Sequence, residues 1–119
     1  MWVNEVEHSG IPGVDDDSNG YVDDIYGYNF SANTGDPMDD DGHGTHCAGS
    51  IGAVGNNGLG VVGVSPNVRI MALKFIEDGG GALSDALLAM QYAEANGAHL
   101  TSQSWVTEAY SQILKDYLD

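Results

Sequence analysis

The most reactive grouping in the chain is Asp39-Asp40-Asp41-Gly42-His43-Gly44-Thr45-His46-Cys47-Ala48-Gly49-Ser50-Ile51. An acidic turn runs into a segment of small residues, with His43 at the junction. Gly42 and Gly44 flank the imidazole, so backbone can approach it on both sides. Cys47 and Ile51 follow His43 at helical spacing, and Ala48 and Gly49 permit close packing against a neighbour. A histidine at a helix start presents its ring at the rim of a cleft, where near neutral pH it can act as a general base. Two plainer readings stand beside this one. A histidine among glycines can be purely structural, and His43, His46 and Cys47 also have the chemistry of zinc ligands. Zinc needs three or four donors in suitable geometry. Cys47 is the single cysteine, and His8 and His99 lie in unrelated contexts, so zinc is the weaker option.

A second grouping is Asp15-Asp16-Asp17-Ser18-Asn19-Gly20-Tyr21-Val22-Asp23-Asp24. Asp15, Asp17 and Asn19 alternate and Gly20 follows. This is the first half of an EF-hand-type loop, with oxygen ligands at positions 1, 3 and 5 and a turn-forming glycine at 6. Tyr21 then offers its carbonyl at position 7 and Asp23 a carboxylate at position 9. Position 12 falls on Tyr26, so the bidentate closing glutamate is missing, and Asp24 or a group elsewhere must replace it. The expectation is a structural calcium ion held by Asp15, Asp17, Asn19, the Tyr21 carbonyl and Asp23. The plainer alternative is a solvated acidic turn.

The histidine segment closely resembles His-Gly-Thr-His-x-Ala-Gly of the subtilisin-like serine proteases, the subtilases, and the resemblance extends over nearly the whole chain. It implies that His43 is a catalytic base. Its Nε2 would take a proton from a serine hydroxyl, with Nδ1–H held by an aspartate. It implies that His46 is structural and buried under the helix. Subtilases with an insertion similar to residues 15–24 bind calcium there, in agreement with the loop reading. The segment Gly55-Asn56-Asn57-Gly58-Leu59-Gly60-Val61 is similar to the family's tight calcium loop. By position, Asn57 would give its side chain and Gly55, Leu59 and Val61 their carbonyls. The resemblance further implies that an extended peptide or protein substrate lies between Gly79-Gly80-Gly81 and Ser104-Trp105-Val106, held by strand addition. Val106 departs from the family's usual glycine, and a branched side chain there would crowd the pocket for the residue before the scissile bond. The plainer reading of these segments is a hairpin-like loop and a buried strand end.

The elements that must position these groups follow from local pattern. Tyr26 to Phe30 reads as a short strand, and a helix is expected from about Gly44 to Ala53, stopped at Gly55. Residues 68–75 form a nearly continuous apolar run of strand length, of the kind covered on both faces of a sheet. Ser84, with Asp85 after it, suits the cap of a helix reaching Ala95, with Leu83, Ala86, Leu87, Met90 and Ala93 on one face. Asn96-Gly97 is its stop signal. Residues 98–105 are a second candidate strand, beside a parallel neighbour. Strand, helix and strand over this length make a right-handed βαβ unit. Ser111 caps a last helix with Ile113, Leu114, Tyr117 and Leu118 along one side. The fold class expected is α/β, a partial parallel sheet with flanking helices, in the three-layer arrangement the resemblance implies.

At 119 residues the chain is at most one domain. The net charge of −15, from 18 acids against Arg69, Lys74 and Lys115, opposes binding to nucleic acid and anionic membranes and suits calcium. Eleven of those acids precede His43, which points to local function rather than a uniformly solvated surface. No apolar run is long enough to span a membrane and no signal peptide opens the chain. An extracellular location rests on the resemblance alone. The family's Gly-Thr-Ser-x-Ala segment is absent, and the aspartate of its first catalytic strand would lie before Met1. Residues 1–119 are therefore expected to be a partial catalytic domain, lacking the start that bears the aspartate and the end that bears the serine. Its partner would be the remainder of that domain. On this reading the chain alone does not hydrolyse peptides. The alternative is a non-enzymatic, degenerate fragment that binds calcium or peptide.

Overall fold

The computed structural model describes residues 1–108 and 110–119. In chain order the elements are α1 (Glu5–Ser9), β1 (Gly27–Asn29), α2 (His43–Gly52), β2 (Ala72–Lys74), β3 (Ile76–Glu77), β4 (Gly80–Gly81), α3 (Leu83–Ala95) and α4 (Gln112–Leu118). Helices are thus mixed with a small amount of sheet. β1 and β2 pair in parallel, Tyr28 opposite Leu73, and β3 and β4 form an antiparallel hairpin.

The core forms where β1 meets α3. Tyr28 and Phe30 lie two residues apart, so they share a face of the strand. They pack with Ala89 and Tyr92 of α3, and Trp2, Tyr21, Met71, Leu73 and Phe75 close around them. The rings meet edge to face, with Tyr21 and Tyr92 at 5.0 Å and 90°. Such contacts add to the area buried. Small residues let α3 approach: Ala86, Ala89 and Ala93 are buried beside Met90 and Tyr92. Leu83 and Leu87, expected on that face, are half-buried. The helix ends as its Asn96-Gly97 signal requires, with Gly97 N donating to the Glu94 carbonyl and Ala98 N to that of Ala93.

Gly27 is dictated by the strand pair. Its φ is +129°, and a Cβ there would stand 1.8 Å from the Ala72 carbonyl oxygen. β1 and β2 can come together only where one residue has no side chain.

Two expected elements differ. The strand expected over 68–75 is regular only at Ala72–Lys74 and is half-buried. Residues 98–105 join no ladder, and Leu100 is 92% exposed. An apolar run becomes a strand only against a free edge. β2 gives one edge to β1, and no further strand lies beside it among the described residues. The βαβ unit expected there is therefore not closed. At the other end, Ser111 caps α4 as expected, its Oγ accepting from Leu114 N at 3.2 Å. α4 buries none of its residues, with Ile113 and Leu118 largely exposed. Tyr117 ties it to α3 by donating its hydroxyl proton to Glu94 at 3.1 Å. Among the described residues, no helix is long and apolar enough to cross a membrane.

Candidate functional site

The three aspartates before His43 do three different things. Asp39 turns inward on the helix start. Its Oδ1 accepts from the backbone N–H of Asp41 and Gly42, and its Oδ2 accepts from Thr45 N at 2.7 Å and Thr45 Oγ1 at 2.6 Å. These bonds satisfy donors that a helix start leaves without partners and put a negative charge at its positive end. The Thr45 hydroxyl, then the backbone N–H groups, hold the Asp39 carboxyl far below the usual carboxylate range. Asp41 accepts from His43 N at 3.3 Å. Asp40 faces the other way, pairing with Lys74 of β2 at 2.9 Å. Sequence reading found an acidic turn here. The sequence signal for the cap was the pairing of Asp39 with Thr45 across a glycine-bounded turn.

His43 is the first residue of α2, behind Gly42 as N-cap, and it is exposed. Its Nε2 stands 3.7 Å from Cys47 Sγ, one helical turn on. His46, expected under the helix, is exposed instead. The half-buried residues of α2 are Cys47, Ala48, Gly49, Ile51 and Gly52, with Gly52 against Val68 and Ile70, and His46 is not among them.

The two segments assigned to substrate lie close together. Asp78 (φ +50°) and Gly79 (φ +76°) make the two-residue turn between β3 and β4, the left-handed pair that tight hairpins use. Gly79, Gly80 and Gly81 are exposed. Phe75, just before the hairpin, meets Trp105 edge to face at 5.3 Å. That contact sets Ser104-Trp105-Val106 beside the hairpin, with Ser104 exposed and Val106 93% exposed. Both segments therefore offer backbone to solvent.

The acidic loop is built from a different residue than the motif suggested. Glu7 of α1 is buried, 4% exposed, and gathers the loop around itself. Its Oε1 accepts from Asp16 N at 2.6 Å and Asp17 N at 3.1 Å, and its Oε2 from Asp23 N at 2.9 Å. Carboxylate oxygens of Glu7, Asp17 and Asp24 all lie within 4.8 Å of one another. Asp24 is fully buried and accepts from Asn4 Nδ2 (2.8 Å), Asn19 Nδ2 (2.9 Å) and the Tyr92 hydroxyl (2.5 Å). Burial, then the bond to Asp24, push the Tyr92 phenol well above its ordinary value.

Of the five expected calcium ligands, the structure brings Asp17 into this trio, with Asn19 alongside. Asp15 instead accepts from the backbone N–H of Asn19 and Gly20, and Asp23 from that of Gly13. Tyr21 packs its ring on Tyr28, Phe30 and Tyr92. Glu7 lay outside the motif, while Asp24 was its candidate substitute. Three carboxylates gathered this closely have the chemistry of a calcium site, and here the amide nitrogens of Asn4 and Asn19 donate among them. In the second loop, Gly55 to Val62 line a shallow surface concavity of about 230 Å³. Asn57 Oδ1 there accepts from Leu59 N at 3.0 Å, and Gly55, Leu59 and Val61 share the same rim.

Comparison with known proteins agrees with the histidine segment. The subtilase family pattern matches residues 5–117. Subtilisin-like protease 1 of Plasmodium vivax is 47% identical over 112 residues, covering 93% of this chain and 18% of that protein. Thermophilic serine proteinase of Bacillus sp. (strain AK1) is 38% identical over 109 residues, 91% of this chain and 27% of its own length. Minor extracellular protease Epr of Bacillus subtilis (strain 168) is 38% identical over 91 residues, 76% of this chain and 14% of its own length. The chain thus spans under a third of each of these relatives. Matched over nearly its whole length, with His43 at the head of α2, the chain belongs to the subtilase family, a family of serine-type peptidases.

Proposed function

We propose that this chain is part of the catalytic domain of a calcium-stabilised, subtilisin-like serine endopeptidase, with the three-layer α/β architecture completed by the rest of that domain. The observation that carries the reading is His43, exposed at the head of α2 on a turn capped by Asp39. In that role its neutral imidazole takes the proton of a serine hydroxyl, and an aspartate fixes its tautomer. Neither the serine motif nor that aspartate's motif occurs in these 119 residues, so the serine and aspartate come from the remainder of the domain. The peptide or protein substrate lies as an extended strand between Gly79-Gly80-Gly81 and Ser104-Trp105-Val106. Main-chain hydrogen bonds supply affinity and side-chain pockets supply selectivity.

Calcium fits the acidic loop, whose Asp24 is buried beside Glu7 while Asp17 is exposed. Glu7, Asp17 and Asp24 supply carboxylate oxygens, while Asn19, whose Nδ2 donates to Asp17 and Asp24 and whose Oδ1 accepts from Tyr21 N, shapes the loop around them together with Asp15, Tyr21 and Asp23. The ion offsets the repulsion of the gathered carboxylates. The Gly55–Val61 loop is a second, weaker candidate through Asn57 and the carbonyls of Gly55, Leu59 and Val61. The extracellular location named for the Bacillus subtilis relative suits an enzyme of this kind.

The test is peptide hydrolysis and fluorophosphonate labelling of the complete domain that includes these residues, with calcium present. Hydrolysis and serine labelling should both be lost in His43→Ala. Full activity in His43→Ala would overturn the assignment of the base. The 119-residue chain by itself should label no serine.

A further inference from the structure

The turn that carries His43 has little apolar anchorage. α2 buries no residue, and Asp36, Met38, Asp40, Asp41 and Gly42 are all exposed. The capping bonds of Asp39 are internal to the turn and the helix start, and α2 is fastened at its opposite end, where the N–H groups of Gly63, Val64 and Ser65 donate to the Ala53, Ser50 and Ile51 carbonyls. At the His43 end, Lys74 connects the turn to the strands. Its ammonium has three protons to donate, and three acceptors surround it: the Met38 carbonyl at 3.3 Å, Asp40 Oδ2 at 2.9 Å and Glu77 Oε1 at 3.4 Å. Two of these belong to the turn. The third, Glu77, is itself held by the buried Asn29 of β1, whose Nδ2 donates to it at 2.9 Å. One cation therefore joins the His43 turn to both strands of the parallel pair.

We propose that Lys74 is a positioning residue for His43, fastening the acidic turn to the β1–β2 pair so that the imidazole is held at one place. The inference rests on the reading of His43 as the base. An ordinary exposed ion pair contributes little, but Lys74 is not of that kind. Its side chain is 14% exposed, against 66% for Asp40, so the lysine is the enclosed member of the network. It is also one of only three cations in a chain with 18 acids, and no other lysine or arginine bonds to this turn among the described residues.

The experiment uses the complete domain and the variants Lys74→Met, Lys74→Arg and Asp40→Asn. A base displaced by a fraction of an ångström to an ångström costs up to about 100-fold in rate. Lys74→Met should therefore lower kcat about 10- to 100-fold while KM stays within about twofold. Lys74→Arg should recover most of the loss, since a guanidinium keeps both carboxylate contacts. Asp40→Asn, at an exposed site that does not threaten folding, should show a smaller fall of the same kind and carries the test should Lys74→Met not fold. Independently of activity, the His43 imidazole C–H resonances should report one environment in the parent domain and several, or broadened ones, in Lys74→Met. Unchanged kcat together with an unchanged imidazole spectrum would overturn the proposal. If the parent domain cleaves no peptide, the endopeptidase reading falls, and the imidazole spectrum still decides the role of Lys74.

Discussion

Replacing Asp24 by alanine should remove much of the protein's stability. Asp24 is fully buried and accepts three side-chain hydrogen bonds, two of them from the buried Asn4 and Tyr92. Hydrogen bonds to a charged group contribute about 1.5–3 kcal/mol each, so three amount to roughly 4.5–9 kcal/mol before opposing effects. The variant also relieves the desolvation of one carboxylate and its proximity to Glu7 and Asp17, which returns several kcal/mol. The net loss should be about 3–5 kcal/mol, the range found when a buried charged network loses one member. Domains of this size are stable by about 5–15 kcal/mol, so the variant sits near the edge of folding. Urea unfolding of the calcium-free protein, followed by fluorescence and circular dichroism with matched slopes, measures the change. Asp24→Asn separates the causes. It keeps the shape but points amide protons at three donors, so it should not rescue. If repulsion among the three carboxylates outweighed the hydrogen bonds, Asp24→Asn would instead stabilise the protein. That result, or a change under about 1 kcal/mol in Asp24→Ala, would refute the reasoning.

Tyr92 should make the protein alkali-sensitive. Its phenol is raised above the ordinary 10.0 in the fold, so above that pH the unfolded chain loses a proton the folded chain keeps. Stability should fall as pH rises past about 10, and the fall should be shallower in Tyr92→Phe; equal slopes in pH-dependent urea unfolding would count against this. Gly27→Ala should destabilise by more than about 2 kcal/mol in the same assay, since a positive φ and a Cβ 1.8 Å from the Ala72 carbonyl both oppose it. Asp39→Ala should speed amide hydrogen exchange at Gly42 and Thr45, whose N–H groups it now caps, and leave the amides of α3 as they were.

The features legible in the sequence are those whose signals are local. The glycine-bounded histidine, the Asn96-Gly97 stop and the Ser111 cap each involve residues a few positions apart, and the structure places each where expected. The acidic loop was legible as a loop, but the choice among its carboxylates was not. Glu7 reaches it from another element, and Asn4 both caps α1, through Val6 N, and donates to Asp17 and Asp24. No spacing rule links residue 4 or 7 to residues 17 and 24. Residues 98–105 failed for a related reason. Apolar pattern reports what a segment could bury, while a strand depends on a partner edge elsewhere in the sheet. His46 differs from the family-based expectation because the half-buried face of α2 is Cys47, Ala48, Gly49, Ile51 and Gly52, which leaves His46 exposed.

The placement of polar groups explains how so small an apolar cluster holds both the acidic loop and the His43 turn. Tyr28, Phe30, Ala89 and Tyr92 lie between β1 and α3, and neither the His43 turn nor the acidic loop packs into them by aliphatic contact beyond Tyr21. Polar side chains fasten both instead, Asn4, Glu7 and Tyr92 for the acidic loop and Lys74 for the His43 turn. Tyr92, a core residue by its ring, extends its hydroxyl to Asp24, and Lys74, at the end of β2, extends its ammonium to Asp40. The two anchors differ in what they can withstand. The Tyr92 bond is enclosed, so salt barely screens it, and its loss exposes a buried carboxylate to repulsion from Glu7 and Asp17. The Lys74 contact to the turn ends on the exposed carboxylate of Asp40, where screening is stronger. The acidic loop is thereby tied by the enclosed anchor. The His43 turn is tied by the more screened one.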